Sequence, residues 1–158
     1  MFTVFEEVAT KTRRHKVTQR KILQMEHKRN FQPVSPEEEE IGKAIVNAAY
    51  IVHKELGPGL LEKVYEVCFC HVLARNGYNV QRQLIVPIVF EDLILDESLR
   101  LDVLVNNLVI CELKALETVN PVWEAQILSH LKLTKRRLGY LINFNVPLIK
   151  DGIKRFVL

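Results

Sequence analysis

Apolar residues recur at helical spacing early in the main part of the chain, at Ile41, Ala44, Ile45, Ala48, Ala49 and Val52. This spacing predicts a helix with one apolar stripe. The helix should begin at Ser35, because serine caps helix N-termini, and Pro36 fits the first helical position. Glu38 completes a capping box with Ser35. Gly57 should end the helix, since glycine suits the left-handed conformation found after helix C-termini.

A second helix is predicted over residues 60–75, and strand patterns follow at residues 80–90, 99–105 and 108–114. Pro87 lies inside the first of these strands. Because proline cannot donate to a ladder, that strand should lie at an edge of the sheet or contain a bulge.

The last part of the chain predicts a helix, with Asn120 as N-cap and Pro121 at its first position, followed by strands at residues 138–144 and 153–157. The order is ααβββαβ, with the final short β as an option. This order predicts an α/β fold in which a mixed β-sheet is flanked by helices.

Charge is distributed unevenly along the chain. Residues 1–35 hold eight Lys/Arg and three Glu, whereas residues 36–158 hold fourteen Lys/Arg and sixteen Asp/Glu. Residues 1–34 are therefore predicted to be a basic N-terminal extension, partly helical or flexible, and residues 35–158 the folded domain. Such an extension can contact phosphate backbones, but it is at least as often a solvated tail.

The composition, 48% hydrophobic and 26% charged, is that of a soluble globular protein. No apolar segment is long enough to span a membrane, and no signal peptide is expected. The three cysteines favour a reducing cytoplasmic location over a disulfide framework. Cys68 and Cys70 should point in different directions from a helix and act as small packing residues.

The segment DVLVNNLVICELK, residues 102–114, places charged groups in an otherwise apolar hairpin. Asn106-Asn107 separates its strands, and asparagine tolerates the left-handed backbone of tight turns. A two-residue turn would point Asp102 and Glu112 to opposite faces of the sheet. A turn of odd length, or one bulge, would bring them to the same face.

On a shared face, Asp102, Glu112 and Lys114 would converge, and strict alternation would place Arg100 and Leu104 on the face of Asp102 as well. Neighbouring carboxylates repel one another, and a divalent cation removes this repulsion. Oxygen ligands select Mg²⁺ or Mn²⁺, and a nearby lysine can orient or deprotonate an attacking water. A bound metal ion, an attacking water and a nearby lysine together suit phosphodiester hydrolysis. From these residues alone, a salt-bridged cluster on an exposed hairpin is an equal alternative.

The segment GLLEKVY contains Gly59, Glu62 and Tyr65 in a GxxExxY pattern. Together with RLDVLV…VICELKA, EAQILSHLKLT and LGYLINFN…IKDGIKRFV, it resembles the GxxExxY proteins. These are a compact branch of the PD-(D/E)XK nuclease superfamily, related to its RecB-like branch. The resemblance covers residues 36–158 and implies a restriction-endonuclease-like core with metal-dependent nuclease activity.

The resemblance also implies a role for each matching residue. Asp102 and Glu112 would be the metal carboxylates, with the main-chain carbonyl of Leu113 as a further ligand. Lys114 would be the catalytic lysine. Glu62 would act near the metal, in part through water. The implied cofactor is one or two Mg²⁺ ions, with Mn²⁺ as the alternative.

On the helix after the lysine strand, Gln126 matches a glutamine that supports the site. His130 stands where the RecB-like branch usually has tyrosine, and it is expected to donate to a phosphate. The helix ends in a basic cluster that suits the helix dipole and, if the site is real, offers phosphate contacts. This cluster comprises Lys132, Lys135, Arg136 and Arg137.

Two classes of function follow. One is an endo- or exonuclease that acts on DNA, with RNA as the alternative substrate. The other is a nuclease-fold module that binds nucleic acid or a protein partner without effective turnover, because one fold can host many functions. A homodimer is a further option.

Overall fold

The structure, a computed structural model, describes residues 33–158. The predicted basic extension falls almost entirely outside these residues, so it stays a prediction. Within the described residues, no helix is long and apolar enough to cross a lipid bilayer.

The first helix, α1, spans Pro36–Leu56, as predicted. The predicted capping box is complete: Ser35 Oγ accepts the Glu38 N–H at 3.2 Å, and the Glu38 carboxylate accepts the Ser35 N–H at 2.7 Å. Gly57 follows the helix with a φ of 65°, in the left-handed region that favours glycine. The second helix, α2, spans Glu62–Arg75.

Five strands form one sheet in chain order: β1 Val80–Phe90, β2 Leu93–Val105, β3 Val109–Lys114, β4 Leu138–Asn143 and β5 Ile153–Val157. Neighbouring strands are antiparallel, except β3 and β4, which are parallel. Parallel strands need a crossover, which helix α3 (Val122–Thr134) provides. A short helix, α4 (Ile149–Gly152), precedes β5 and was not predicted. The predicted mixed sheet flanked by helices is confirmed.

The sequence pattern predicted the β1–β2 hairpin only in part. Strand β1 is an edge strand, and its register with β2 shifts between Pro87 and Val89, so both expectations for Pro87 are confirmed. Strand β2 begins earlier than predicted. Its first residues, 93–98, extend the hairpin with β1 and are largely exposed, so they carry no buried-face alternation.

Each face of the sheet carries an apolar core. Helices α1 and α2 pack on one face, around Ile45, Tyr65, Phe69 and Phe144. Helix α3 packs on the other face, where Ile127 lies in a second apolar core. Strand β3 is therefore buried on both sides. A carboxylate in this strand must find partners, because an unpaired buried charge is costly.

The cysteines make the packing testable. Cys70 is buried while Cys68 is partly exposed, in agreement with the predicted divergence of their side chains. Burial raises the pKa of the Cys70 thiol to about 12, and it raises the pKa of the fully enclosed Cys111 well above its usual range.

Because the thiolate is the reactive form, iodoacetamide at pH 8 should modify Cys68 first. Mass spectrometry should find Cys70 and Cys111 modified only after denaturation. Alkylation of Cys111 in the native protein would contradict this packing.

Candidate active site

The hairpin turn between β2 and β3 has three residues. Val105 pairs with Val109, so Asn106, Asn107 and Leu108 form the turn. The two asparagines adopt φ values of 49° and 58°, the left-handed conformation that asparagine tolerates. The odd length that the sequence argument required is present. Extending the same register by one residue places Asp102 opposite Glu112.

Asp102 lies where β2 separates from β3. The recorded pairing between these strands ends at Val103 and Cys111. The next β3 residue whose backbone faces β2 is Leu113, and its N–H donates to Asp102 Oδ2 at 3.0 Å. The carboxylate therefore takes the place of a ladder hydrogen bond. This contact fixes the carboxylate at the point where the strands diverge.

Strand β2 also breaks its alternation at Asp102. Leu101 and Leu104 both pack in the core beside α3, although residues an odd number apart cannot share a face in a regular strand. Opposite this position in β1, Gln83 has a φ of 49° and is skipped in the pairing. The β1–β2 register is the same on both sides of Asp102, so the side-chain alternation of β2 breaks here without a register shift. The predicted common face of Arg100 and Leu104 is wrong for this reason.

Glu112 is the most enclosed carboxylate of the site, with 1% of its surface exposed. His130 Nδ1 lies 2.5 Å from its Oε1, and Gln126 Nε2 donates to its Oε2 at 3.2 Å. Desolvation raises the pKa of the Glu112 carboxyl, an effect that the His130 hydrogen bond and the Lys114 charge oppose. Two side chains of α3 therefore hold both oxygens of this buried group.

Lys114 connects the two carboxylates. Its Nζ lies 4.0 Å from Asp102 Oδ2 and 4.0 Å from Glu112 Oε2. The ammonium is largely enclosed, with 13% of the side chain exposed. Two carboxylates and one amine thus meet at the end of β3. This arrangement can hold a cation and position an attacking water.

A family model of the PD-(D/E)XK nuclease superfamily matches residues 39–156. The chain belongs to this superfamily. Separate searches of curated proteins and of solved structures found no significant match. The superfamily consists largely of nucleases that use divalent metal ions and act on nucleic acids. The matched segment covers both core faces and every residue of the site described above.

The donor set of this PD-(D/E)XK protein fits a hard cation. Within residues 33–158, no three His, Cys, Asp or Glu side chains form a ready metal cage. Mg²⁺ does not need one, because it is usually bound by one or two carboxylates, with waters and substrate phosphates completing its shell. Asp102 and Glu112 supply two such carboxylates. Desolvation is the main cause of the raised pKa of Glu112, and repulsion by Asp102 adds to it; a cation relieves such repulsion.

The main-chain carbonyl of Leu113 suits the same cation. In an antiparallel pair, the N–H and C=O of one strand residue face the same neighbour. Since the Leu113 N–H is directed to Asp102, its carbonyl faces the same opening between β2 and β3.

Glu62 approaches this opening from the N-terminus of α2. The residue is exposed, but partial desolvation of its carboxyl raises its pKa, as the nearby Asp102 does. Lys114 and a hydrogen bond from the Ala115 backbone act in the opposite direction. Glu62 therefore lies close enough to Asp102 and Lys114 for their charges to act on it.

Tyr65 holds the turn that leads into α2. Its hydroxyl donates to the Gly57 carbonyl at 2.6 Å and accepts the Leu60 N–H at 3.0 Å, and its ring stacks on Phe144 with centroids 4.7 Å apart. Tyr65 is therefore a packing residue with a hydrogen-bonded hydroxyl. It fixes the segment from which Glu62 projects.

We expect Tyr65→Phe to lower the free energy of unfolding by about 1–3 kcal/mol, because two backbone groups lose their partner. Urea denaturation measures this change. Cleavage of nucleic acid should fall less than in variants of the carboxylates, since the hydroxyl contacts only backbone. Tyr50→Phe, at an exposed tyrosine of α1, is the matched control.

The remaining predicted contacts lie elsewhere. His130, expected to donate to a phosphate, is 5% exposed and contacts Glu112 instead. Three residues of the basic cluster, Lys135, Arg136 and Arg137, directly precede Leu138, which pairs with Val109, whereas Lys114 pairs with Asn143. At about 3.3 Å per residue, the backbone at Leu138 is roughly 16 Å from that of Lys114 along the sheet. Arg136 there donates to the carbonyl and side chain of Asn107.

Sequence reasoning missed the cleft that opens beside Asp102 between α2 and the β1–β2 hairpin. Its volume is about 420 Å³, and its walls include Glu66, Arg82 and Arg100. Arg100 stands two residues before Asp102, which was the only signal available. The break in the alternation of β2 that turns Arg100 toward α2 has no signature in the local sequence.

Proposed function

We propose that this protein is a metal-dependent nuclease that hydrolyses phosphodiester bonds in DNA, with RNA as the alternative substrate. One observation supports this most strongly: Lys114 Nζ stands 4.0 Å from an oxygen of Asp102 and 4.0 Å from an oxygen of Glu112. We further propose that the protein belongs to the GxxExxY branch, related to the RecB-like nucleases, and acts in the cytoplasm.

In this proposal, Asp102, Glu112 and the Leu113 carbonyl hold one or two Mg²⁺ or Mn²⁺ ions, and Glu62 assists through water. Such an ion polarises the phosphate and offsets the charge that develops on its oxygens. Lys114 orients the attacking water and stabilises negative charge beside it. Gln126 and His130 do not reach the substrate. From helix α3, they fix the orientation of the Glu112 carboxylate.

One observation favours a second candidate, a module that binds nucleic acid or a protein partner with little turnover. Both oxygens of Glu112 are already engaged by α3, so a cation must share this carboxylate with His130 and Gln126. A weak metal site would give slow hydrolysis.

The test is an incubation of purified protein with labelled linear, single-stranded and branched DNA, and with matched RNA, in Mg²⁺, Mn²⁺ or EDTA. The nuclease proposal predicts products with at least one metal ion and none with EDTA. Binding without cleavage under every condition would favour the second candidate. Light scattering on the same preparation tests the homodimer.

A further inference from the structure

The cleft beside Asp102 opens directly onto the proposed site. Glu62 and Asp102 form part of its wall, and Lys63 and Arg100 line it as well. Lys63 is on α2 and Arg100 is on β2, so these two elements form walls of the cleft. Besides the carboxylates of Glu62 and Asp102, the cleft contains one internally satisfied ion pair and two cations without an internal partner among residues 33–158.

The satisfied pair is Glu66 with Arg82. Arg82 Nε donates to Glu66 Oε1 at 2.8 Å, and Gln83 Nε2 donates to Oε2 at 2.6 Å. Glu66 is buried, with 6% of its surface exposed. Its charge is therefore compensated inside the protein, and Arg82 is committed to it. The left-handed backbone at Gln83 directs that side chain into the same contact.

Lys63 and Arg100 differ from this pair. Both are exposed, and among residues 33–158 no carboxylate oxygen lies within 4.0 Å of either side-chain charge. Each stands close in sequence to a proposed site residue, Lys63 next to Glu62 and Arg100 two residues before Asp102. Positive charge without an internal partner, fixed at the rim of a carboxylate site, is suited to an anion that the carboxylates alone would repel.

We propose that Lys63 and Arg100 bind the phosphates that flank the scissile bond, so that the substrate strand lies in this cleft. This inference rests on the proposed nuclease function. The residues Lys135, Arg136 and Arg137, which follow α3, lie on the order of 16 Å away along the backbone of the sheet. They would contact phosphates farther from the scissile bond than those in the cleft.

Arg100→Gln and Lys63→Gln test this inference, with Lys54→Gln on α1 as the matched surface control and Lys135→Gln testing the α3 cluster. Binding to a short labelled DNA is measured by fluorescence anisotropy in EDTA over a series of salt concentrations. Loss of a charged hydrogen bond to a phosphate should weaken binding about tenfold. It should also lower the salt slope by about 0.7–0.9. Lys54→Gln should behave as wild type, and Lys135→Gln should have less effect than either cleft variant.

A second readout uses cleavage. The cleft variants should raise KM with little change in kcat, because phosphate contacts are the same in the ground state and the transition state. If the wild type cleaves and neither cleft variant changes the salt slope or KM, the inference is overturned. If the wild type does not cleave but binding depends on Lys63 and Arg100, the nuclease function fails while the phosphate contacts stand. Circular dichroism of each variant checks the fold.

Discussion

Replacing Asp102 with asparagine should lower the single-turnover cleavage rate by about 10³-fold or more. A metal carboxylate supplies several kcal/mol of transition-state stabilisation, and each 1.36 kcal/mol is about tenfold in rate. The free energy of unfolding should change little. Asparagine can accept the Leu113 N–H through its own Oδ1, as Asp102 Oδ2 does at 3.0 Å. Rapid-quench kinetics and urea denaturation measure the two effects separately.

Asp102→Ala is the informative comparison, because it removes the hydrogen-bond acceptor as well as the charge. It should lose cleavage to the same extent and in addition lose about 1–3 kcal/mol of stability, since the Leu113 N–H is left without a partner. Lys114→Met should reduce the rate by about 10²–10⁴-fold, the usual range for a positioned acid–base group. A variant Asp102→Asn that retains most of the wild-type rate would show that this carboxylate is not part of the site.

The second large effect is expected at His130. His130→Ala should lower the free energy of unfolding by about 3–5 kcal/mol, because it leaves one oxygen of a buried carboxylate unpaired. The pair concerned is His130 Nδ1 with Glu112 Oε1, at 2.5 Å and with both side chains almost fully enclosed. Urea denaturation at neutral pH measures the change.

Two further variants test whether the loss of stability comes from the contact between Glu112 and His130. His130→Asn places an amide donor near the position of Nδ1 and should recover part of the loss. The double variant Glu112→Leu with His130→Leu removes both polar partners, so it should be more stable than His130→Ala alone. If His130→Ala has nearly the stability of the wild type, Glu112 Oε1 finds another partner and His130 is not needed to hold it.

Local patterns predicted much of the architecture because each depends on few residues. The capping box at Ser35 and Glu38 fixed the start of α1, and Pro87 marked an edge strand with a register shift. The early part of β2 was missed, because exposed residues on both faces of a hairpin leave no apolar alternation. The short α4 has too few residues to show any period.

The site was predicted more completely in its residues than in its contacts. The parity argument required an odd turn at Asn106 and Asn107, and the three-residue turn confirmed it. The partnership of His130 with Glu112 lay beyond the sequence, because α3 meets β3 only through tertiary packing. The break in the alternation of β2 at Asp102 was equally hidden, since it occurs opposite the left-handed residue Gln83 of another strand.

The central claim is that Asp102 and Glu112 share one divalent cation. Calorimetric titration of Mn²⁺ into the wild type, Asp102→Asn, Glu112→Gln and the double variant tests this without any substrate. If the two carboxylates share the ion, each single variant should lose nearly as much affinity as the double variant, because contacts to one ligand are not additive. Independent, additive losses, or binding unchanged in both single variants, would contradict the shared site.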